Sequence, residues 1–196
     1  LHGSAQELSI FMALGSLPAF IFMPLVPWFK RLVGKKNMFY LFLGAAIIGM
    51  AMLYFISKME NPSMIMIYVA QFIKSTGVIV ATGYMWALVP EVISYGEYTT
   101  GRRISGIVNA LTGIFYKAGM ALGGVVPGLV LAWTGFDQGD ALTQSPLAEQ
   151  GILWLICVIP AILLLLAMWI ISKYELTDQR MDEINAVLAE RDHYKH

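Results

Sequence analysis

Ser105, Asn109, Gly113 and Lys117 recur at every fourth position of one apolar run, so on a helix they stack along a single face. Such a ladder carries polar groups from the end of the run to its centre, with Thr112 beside it. Lys117 is the only charged residue between Ile104 and Trp133. On a helix it lies ~20 Å from one end of the run and ~24 Å from the other. A lysine stem reaches only about 6 Å, too short to bring the ammonium to water. An uncompensated charge at that depth costs from about 3 to more than 10 kcal/mol. The ammonium must therefore face a partner or a wet cavity. The chemistry this suits is holding a polar solute or a coupling ion on a pathway; a structural buried ion pair is the alternative.

Lys74 is a second charge inside an apolar run, ~16 Å from the outer end of its helix. Its side chain leans toward that end, within reach of a partly wet cavity. Gly77, Ala81 and Gly83 beside it read as packing residues rather than ligands. Glu91, Glu97, Arg102 and Arg103 gather in one connection between apolar runs. Opposite charges at a helix mouth can hold a gate shut. The plainer alternative is a solvated hairpin whose pairs contribute under about 1 kcal/mol each. Tyr84, Trp86 and Tyr116 present rings on which a sugar can stack, although aromatic residues in spans mostly pack or belt the interface. No acid pair, nucleophile elbow, zinc spacing or phosphate loop occurs, so no enzyme is read here. Cys157 is the single cysteine, which excludes an internal disulfide, and no histidine stands near it to share a metal. His2, His193 and His196 are terminal.

The elements that position these groups are membrane spans. The 196 residues are 58% hydrophobic and 13% charged, with zero formal net charge and a mean hydropathy of +0.66. Ordinary soluble domains carry about 25% charged residues. Five runs are long enough to cross a bilayer: 8–29, 38–56, 64–89, 104–133 and 151–171. As helices they measure roughly 33, 28, 39, 45 and 31 Å against a hydrocarbon core of about 30 Å. The third and fourth must tilt, bend or protrude. Period-2 alternation is absent, which favours helices over a barrel. Pro18, Pro24 and Pro27 should kink the first run. Gly34 suits a left-handed turn, Ser63 an N-cap, and Thr177 or Asp178 the cap of a tail helix striped with Met181, Ile184 and Leu188. That tail, 174–196, is expected to lie on the inner face of the protein or membrane.

Lys30, Arg31, Lys35 and Lys36 follow the first run, Arg102 and Arg103 the third, and Lys173, Arg180, Arg191 and Lys195 the fifth. The alternate loops hold Lys58 with Glu60, Asp137, Asp140 and Glu149. The positive-inside rule then places the start of the chain outside and the tail in the cytoplasm. An odd span number, an outside start and no initiator methionine are expected of a chain that begins partway through a larger protein. No cleavable signal peptide is visible.

The segment VPEVISYGEYTTGRRISGIVNALTGIFYKAG resembles the tenth-to-eleventh helix connection of the glycoside–pentoside–hexuronide cation symporters, carriers of the major facilitator superfamily. The likeness rests on Glu91, the Tyr95–Tyr98 run YGEY, Arg103, and Lys117 on the next helix. The KRLVGKKN turn is similar to the basic loop between the family's helices eight and nine, and YELTDQRMDEI to its cytoplasmic tail. What the resemblance implies is an all-α membrane protein whose five spans correspond to helices eight to twelve of a twelve-helix fold, 1–173 being its C-terminal transmembrane half. It implies a sugar held between two pseudo-symmetric halves and driven by Na⁺ or H⁺, with the cation bound mainly by carboxylates on early helices outside this chain. Lys117 would stand near the sugar and cation sites, and Glu91 and Arg103 in the inner gate network. Three positions depart from the pattern. Ser94 stands where a second aspartate is common, Pro90 replaces a small residue, and Trp86 is not at the position associated with sugar stacking.

The leading expectation is thus part of a cation-coupled sugar symporter in the plasma membrane. Substrate-binding or coupling roles fall to Lys117, Asn109, Thr112 and Lys74, and the cytoplasmic gate to Glu91, Glu97, Arg102 and Arg103. No cofactor beyond the coupling cation is expected. Its partners are a small sugar, membrane lipid and the N-terminal transmembrane half, with no nucleic acid. A facilitator carrier for a non-sugar organic solute, such as an organic anion drawn by Lys117 and Lys74, and a non-transporting membrane scaffold are the competing classes. Sugar competition separates the first of these, and uptake by the full-length protein the second.

Overall fold

The computed structural model describes residues 5–137, 139 and 144–193. Gln138, Asp140, Lys195, His2 and His196 lie outside the described residues. Among the described residues every regular element is helical: α1 Ala5–Phe22, α2 Val26–Val33, α3 Lys35–Ile56, α4 Met64–Thr100, α5 Ser105–Trp133, α6 Pro146–Leu153, α7 Ile159–Ser172 and α8 Asp178–His193. Together they make five stretches long and apolar enough to cross a membrane.

Proline places the irregularities. α1 runs through Pro18 and gives way to a 3₁₀ turn at Met23–Leu25, with Pro24 near the start of that turn and Pro27 near the start of α2. Those are positions where the absent N–H costs least. In the last span a π turn at Trp154–Val158 joins α6 to α7 just before Pro160. Without an N–H at Pro160 the regular ladder must break there, and the wider turn absorbs the break.

The core is the α3–α4 pair. Met38, Phe39, Phe42 and Leu43 on α3 close over Val80, Ala81, Tyr84 and Leu88 on α4. A second cluster nearer the α3–α4 connection joins Met50, Leu53 and Ile56 to Ile67, Ala70 and Cys157. α1 packs along α4, and α7 along α3. The backbones of α3 and α4 nearly touch where Gly77 faces Phe42 and Ala46: a Cβ at Gly77 would strike the Phe42 carbonyl oxygen and lie 2.5 Å from the Ala46 nitrogen. Backbone cannot swing aside as a side chain can. Gly77→Ala in the full-length protein should therefore destabilise it by about 1–3 kcal/mol, the range for overpacking. A detergent melting curve checks this, with Gly44→Ala, which meets open space, expected to leave the melting point unchanged or slightly higher.

α4 is longer than its apolar pattern. The hydrophobic run stops at Val89, yet the helix continues through Pro90 to Thr100 and ends at Gly101, whose φ of 68° is the left-handed conformation of a helix terminator. The Gly101 N–H donates to the Glu97 carbonyl at 2.9 Å. Only Gly101–Ile104 separates α4 from α5, so the charged segment is helix end rather than open loop.

Candidate functional site

α5 presents the Ser105–Asn109–Gly113–Lys117 ladder on a helix with almost no cover. No part of its apolar window is buried, and a Cβ added at Gly113, Gly119, Gly123, Gly124 or Gly128 would meet nothing within 4 Å. Phe115 is 74% and Trp133 85% exposed. Apart from its junction with α4 and a footing on α6, this helix has a free apolar flank. Asn109 Nδ2 donates to the Ser105 carbonyl at 2.9 Å and the Thr112 hydroxyl to the Val108 carbonyl at 2.8 Å. Both side chains are satisfied locally and keep further hydrogen-bonding capacity. Lys117 is exposed and makes no hydrogen bond or ion pair among the described residues.

Beside the ladder, α4 and α5 splay to leave an open groove of ≈ 800 Å³ lined by Trp86, Thr112, Phe115, Tyr116 and Met120, among others. Trp86 and Tyr116 meet edge to face, with ring centroids 5.3 Å apart. Tyr84 does not join them; it is buried against Phe39, centroids 5.2 Å apart, inside the α3–α4 core. Two of the three aromatic candidates thus share a groove with Thr112.

Lys74 stands elsewhere. Its backbone abuts Gly49 of α3, its ammonium lies 6.0 Å from the Phe11 ring of α1, and Cys157 is near enough to interact with it electrostatically. It is half-buried within this half of the bundle, not on the α5 face with Lys117. Next to it Gln71 is 6% exposed, and its Oε1 has no hydrogen-bond partner among the described residues.

The four residues grouped as an inner gate are split. Glu91 accepts from Lys35 Nζ at 2.6 Å and from the Tyr174 hydroxyl at 3.0 Å. Lys35, only 5% exposed, also donates to the Leu176 carbonyl at 3.2 Å and lies 3.5 Å from Asp178, which pairs with Lys30 at 2.9 Å. Arg103 takes no part, so among the described residues Glu91 and Arg103 do not pair with each other. The reason is the extra helix: nine residues of rise, ~14 Å, separate Glu91 from the end of α4. Glu97, Arg102 and Arg103 belong to none of the ion pairs among the described residues. Tyr98 on the same helix end lies between the guanidinium groups of Arg180 and Arg191, 5.8 and 5.6 Å from its ring centroid. α8 is thereby docked on α4, with Met181 and Ile184 buried beneath it. The Thr177 hydroxyl accepts from the Arg180 N–H at 3.3 Å as its cap.

Beyond the membrane-length stretches, two groups of this network, Tyr174 and Asp178, titrate away from their ordinary values. Burial and the Glu91 carboxylate push the Tyr174 phenol well above the usual tyrosine range, so it remains a donor. At Asp178 partial burial works upward, but the Lys30 and Lys35 ammonium groups outweigh it and hold the carboxyl below its usual range. A depressed carboxyl stabilises the docked tail at pH above about 4, where the free carboxylate is ionised. That contribution fades as pH falls through the depressed value. Lys30, Lys35, Tyr174 and Asp178 were the partners that pattern alone did not single out. Their only trace in the sequence is a dense basic turn and one acid, Glu91, inside a helix.

Five membrane-length helices, one of them an uncovered, lysine-bearing span, define an integral membrane protein. The chain matches the family of MFS/sugar transport proteins over residues 1–178 and belongs to it, in agreement with the symporter resemblance. It is 43% identical over 179 residues to the uncharacterized symporter YnaJ of Bacillus subtilis (strain 168), covering 91% of this chain and 38% of that protein. It is 35% identical over 161 residues to a glucuronide carrier protein homolog of Escherichia coli (strain K12), covering 82% and 34%. It is 29% identical over 140 residues to an isoprimeverose transporter of Lactiplantibacillus pentosus, covering 70% and 29%. The chain therefore spans roughly a third of the length of these relatives. Its family is one of transporters, and it is not an enzyme.

Proposed function

We propose that this chain is the carboxyl-terminal part of a symporter that carries a sugar or glycoside across the plasma membrane, driven by Na⁺ or H⁺ through alternating access. The observation that carries the reading is the bare face of α5, where Asn109 and Lys117 point away from their own bundle. A charge cannot remain in lipid at mid-span, so that face must meet the amino-terminal half across a wet cavity. Sugar hydroxyls would bond to Lys117, Asn109 and Thr112. The Trp86–Tyr116 pair in the adjoining groove would cover the apolar side of the ring. The relatives named as a glucuronide carrier homolog and an isoprimeverose transporter support a sugar over other solutes.

The coupling cation would sit mainly on carboxylates of the amino-terminal half, because the spans described here hold lysines and no acid at mid-depth. The tail would face the cytoplasm, with Glu97, Arg102 and Arg103 free to reach the other half when the inner side closes. Lys74, tied up against α1 and α3, would set the spacing of those helices rather than touch the sugar. The test is accumulation of labelled glycosides and glycuronides by vesicles containing the full-length protein under imposed Na⁺ or proton gradients. Accumulation that collapses with an ionophore and is competed by sugars is expected. Transport competed only by non-sugar anions would replace the sugar by an organic anion, and absence of any flux would leave a scaffold.

A further inference from the structure

At the inner end of α2, α3 and α7 five cations, Lys30, Arg31, Lys35, Lys36 and Lys173, meet three carboxylates, Glu91, Glu175 and Asp178. Lys35 is occupied by Glu91, and Lys30 by Asp178. Arg31, Lys36 and Lys173 have no carboxylate partner among the described residues; Arg31 and Lys173 are exposed. Lys36 gives one hydrogen to the Ser172 carbonyl at 2.8 Å and keeps two. Beside it opens a cleft of ≈ 300 Å³ lined by Lys35, Lys36, Asn37, Tyr174, Thr177 and Asp178, among others, the Asp178 carboxylate being held by Lys30 and Lys35. Its wall includes the first turn of α3, whose leading amides lack intrahelical acceptors and receive no side-chain cap. One turn away along α2 and α7 the surface is apolar and exposed, with Trp28 at 56%, Leu32 at 61% and Trp169 at 62%. Tryptophan at such a position marks the level where hydrocarbon gives way to headgroups.

We propose that this cleft binds the phosphodiester headgroup of an anionic phospholipid, its acyl chains lying along Trp28 and Leu32. Lys36 supplies charge from within the cleft, and Arg31 and Lys173 from its edges. The first amides of α3 and the side chains of Asn37 and Thr177 supply directed donors. Glu175 is the one unpaired carboxylate nearby and leaves the excess positive. A soluble anion would use the same donors, but the apolar border continuous with the cleft fits a molecule with chains. The site is independent of which solute the protein carries.

The experiment is native mass spectrometry of the purified full-length protein with phosphatidylglycerol, phosphatidylcholine of the same chain length, or inorganic phosphate. Phosphatidylglycerol should be retained in preference to phosphatidylcholine. Lys36→Gln with Lys173→Gln should cut that retention at least about fivefold, as expected on losing interfacial cations, and leave phosphatidylcholine unaffected. Asn37→Asp, a surface change that need not disturb folding, should act in the same direction. Lys58→Gln at the opposite end should do nothing. Undiminished retention in the cleft variants, or equal loss from Lys58→Gln, would overturn the site. Displacement of phosphatidylglycerol by inorganic phosphate at similar concentration would make it a soluble-anion site and overturn the lipid assignment.

Discussion

Lys117→Ala in the full-length protein abolishes coupled uptake while leaving expression and melting temperature close to those of the parent. The expectation follows from where the ammonium stands. It is exposed on a span that takes almost no part in the packing of its own half, so its removal opens no cavity and orphans no partner among the described residues. On the function proposed above, its contribution lies in what it meets across the interface with the amino-terminal half. A mid-membrane charge retained at a cost of several kcal/mol has to be repaid by solute, by a coupling carboxylate, or by both in turn. Lys117→Arg should keep the charge but misplace the donors, because a planar fork does not substitute for a compact ammonium; partial exchange without accumulation is the expected phenotype. Near-normal sugar accumulation by Lys117→Ala would show the lysine to be incidental. A collapse in expression instead would mean that it is structural, paired with the other half for assembly.

The five spans were legible because their composition leaves no alternative. Long runs with two internal charges can be stable only as helices in lipid, and the basic loops mark their ends. The end of α4 was not legible, because hydropathy reports lipid contact and not helix length. Past Val89 the helix continues in contact with α8 and with Lys35 of α3, and Pro90 interrupts one hydrogen bond without ending it. The same blindness misplaced the partners of Glu91. The sequence grouped Glu91 with the charges near it in the chain, whereas its partner Lys35 is 56 residues away and arrives by the packing of α3 on α4. The ladder on α5 was legible because a four-residue repeat fixes a helix face without any tertiary knowledge. That Lys74 faces away from that ladder was not, since a single charge on a helix buried on several sides carries no directional signal.

Glu91→Gln should loosen the tail and lower the stability of the whole bundle, whereas Arg103→Gln should do neither. The geometry sets the difference. Glu91 is the shared acceptor of Lys35 and Tyr174, and Lys35 is 5% exposed. Removing one partner of a buried pair costs about 3–5 kcal/mol. Here Asp178, at 3.5 Å, and the Leu176 carbonyl still hold Lys35, so about 2–3 kcal/mol is the expected loss. Lys35→Met combined with Glu91→Leu should recover much of it, because an apolar pair of similar volume leaves no orphaned charge. Two measurements read this: a melting curve in detergent, and the rate at which protease releases the segment after Lys173. Arg103, exposed and unpaired among the described residues, should change only turnover. Its loss should slow uptake while sugar affinity moves by less than about tenfold, or 1.4 kcal/mol. If Glu91→Gln instead blocks turnover with stability and tail protection unchanged, the carboxylate works as a gate between halves. The clamp on the tail would then rest on Asp178 with Lys30 alone.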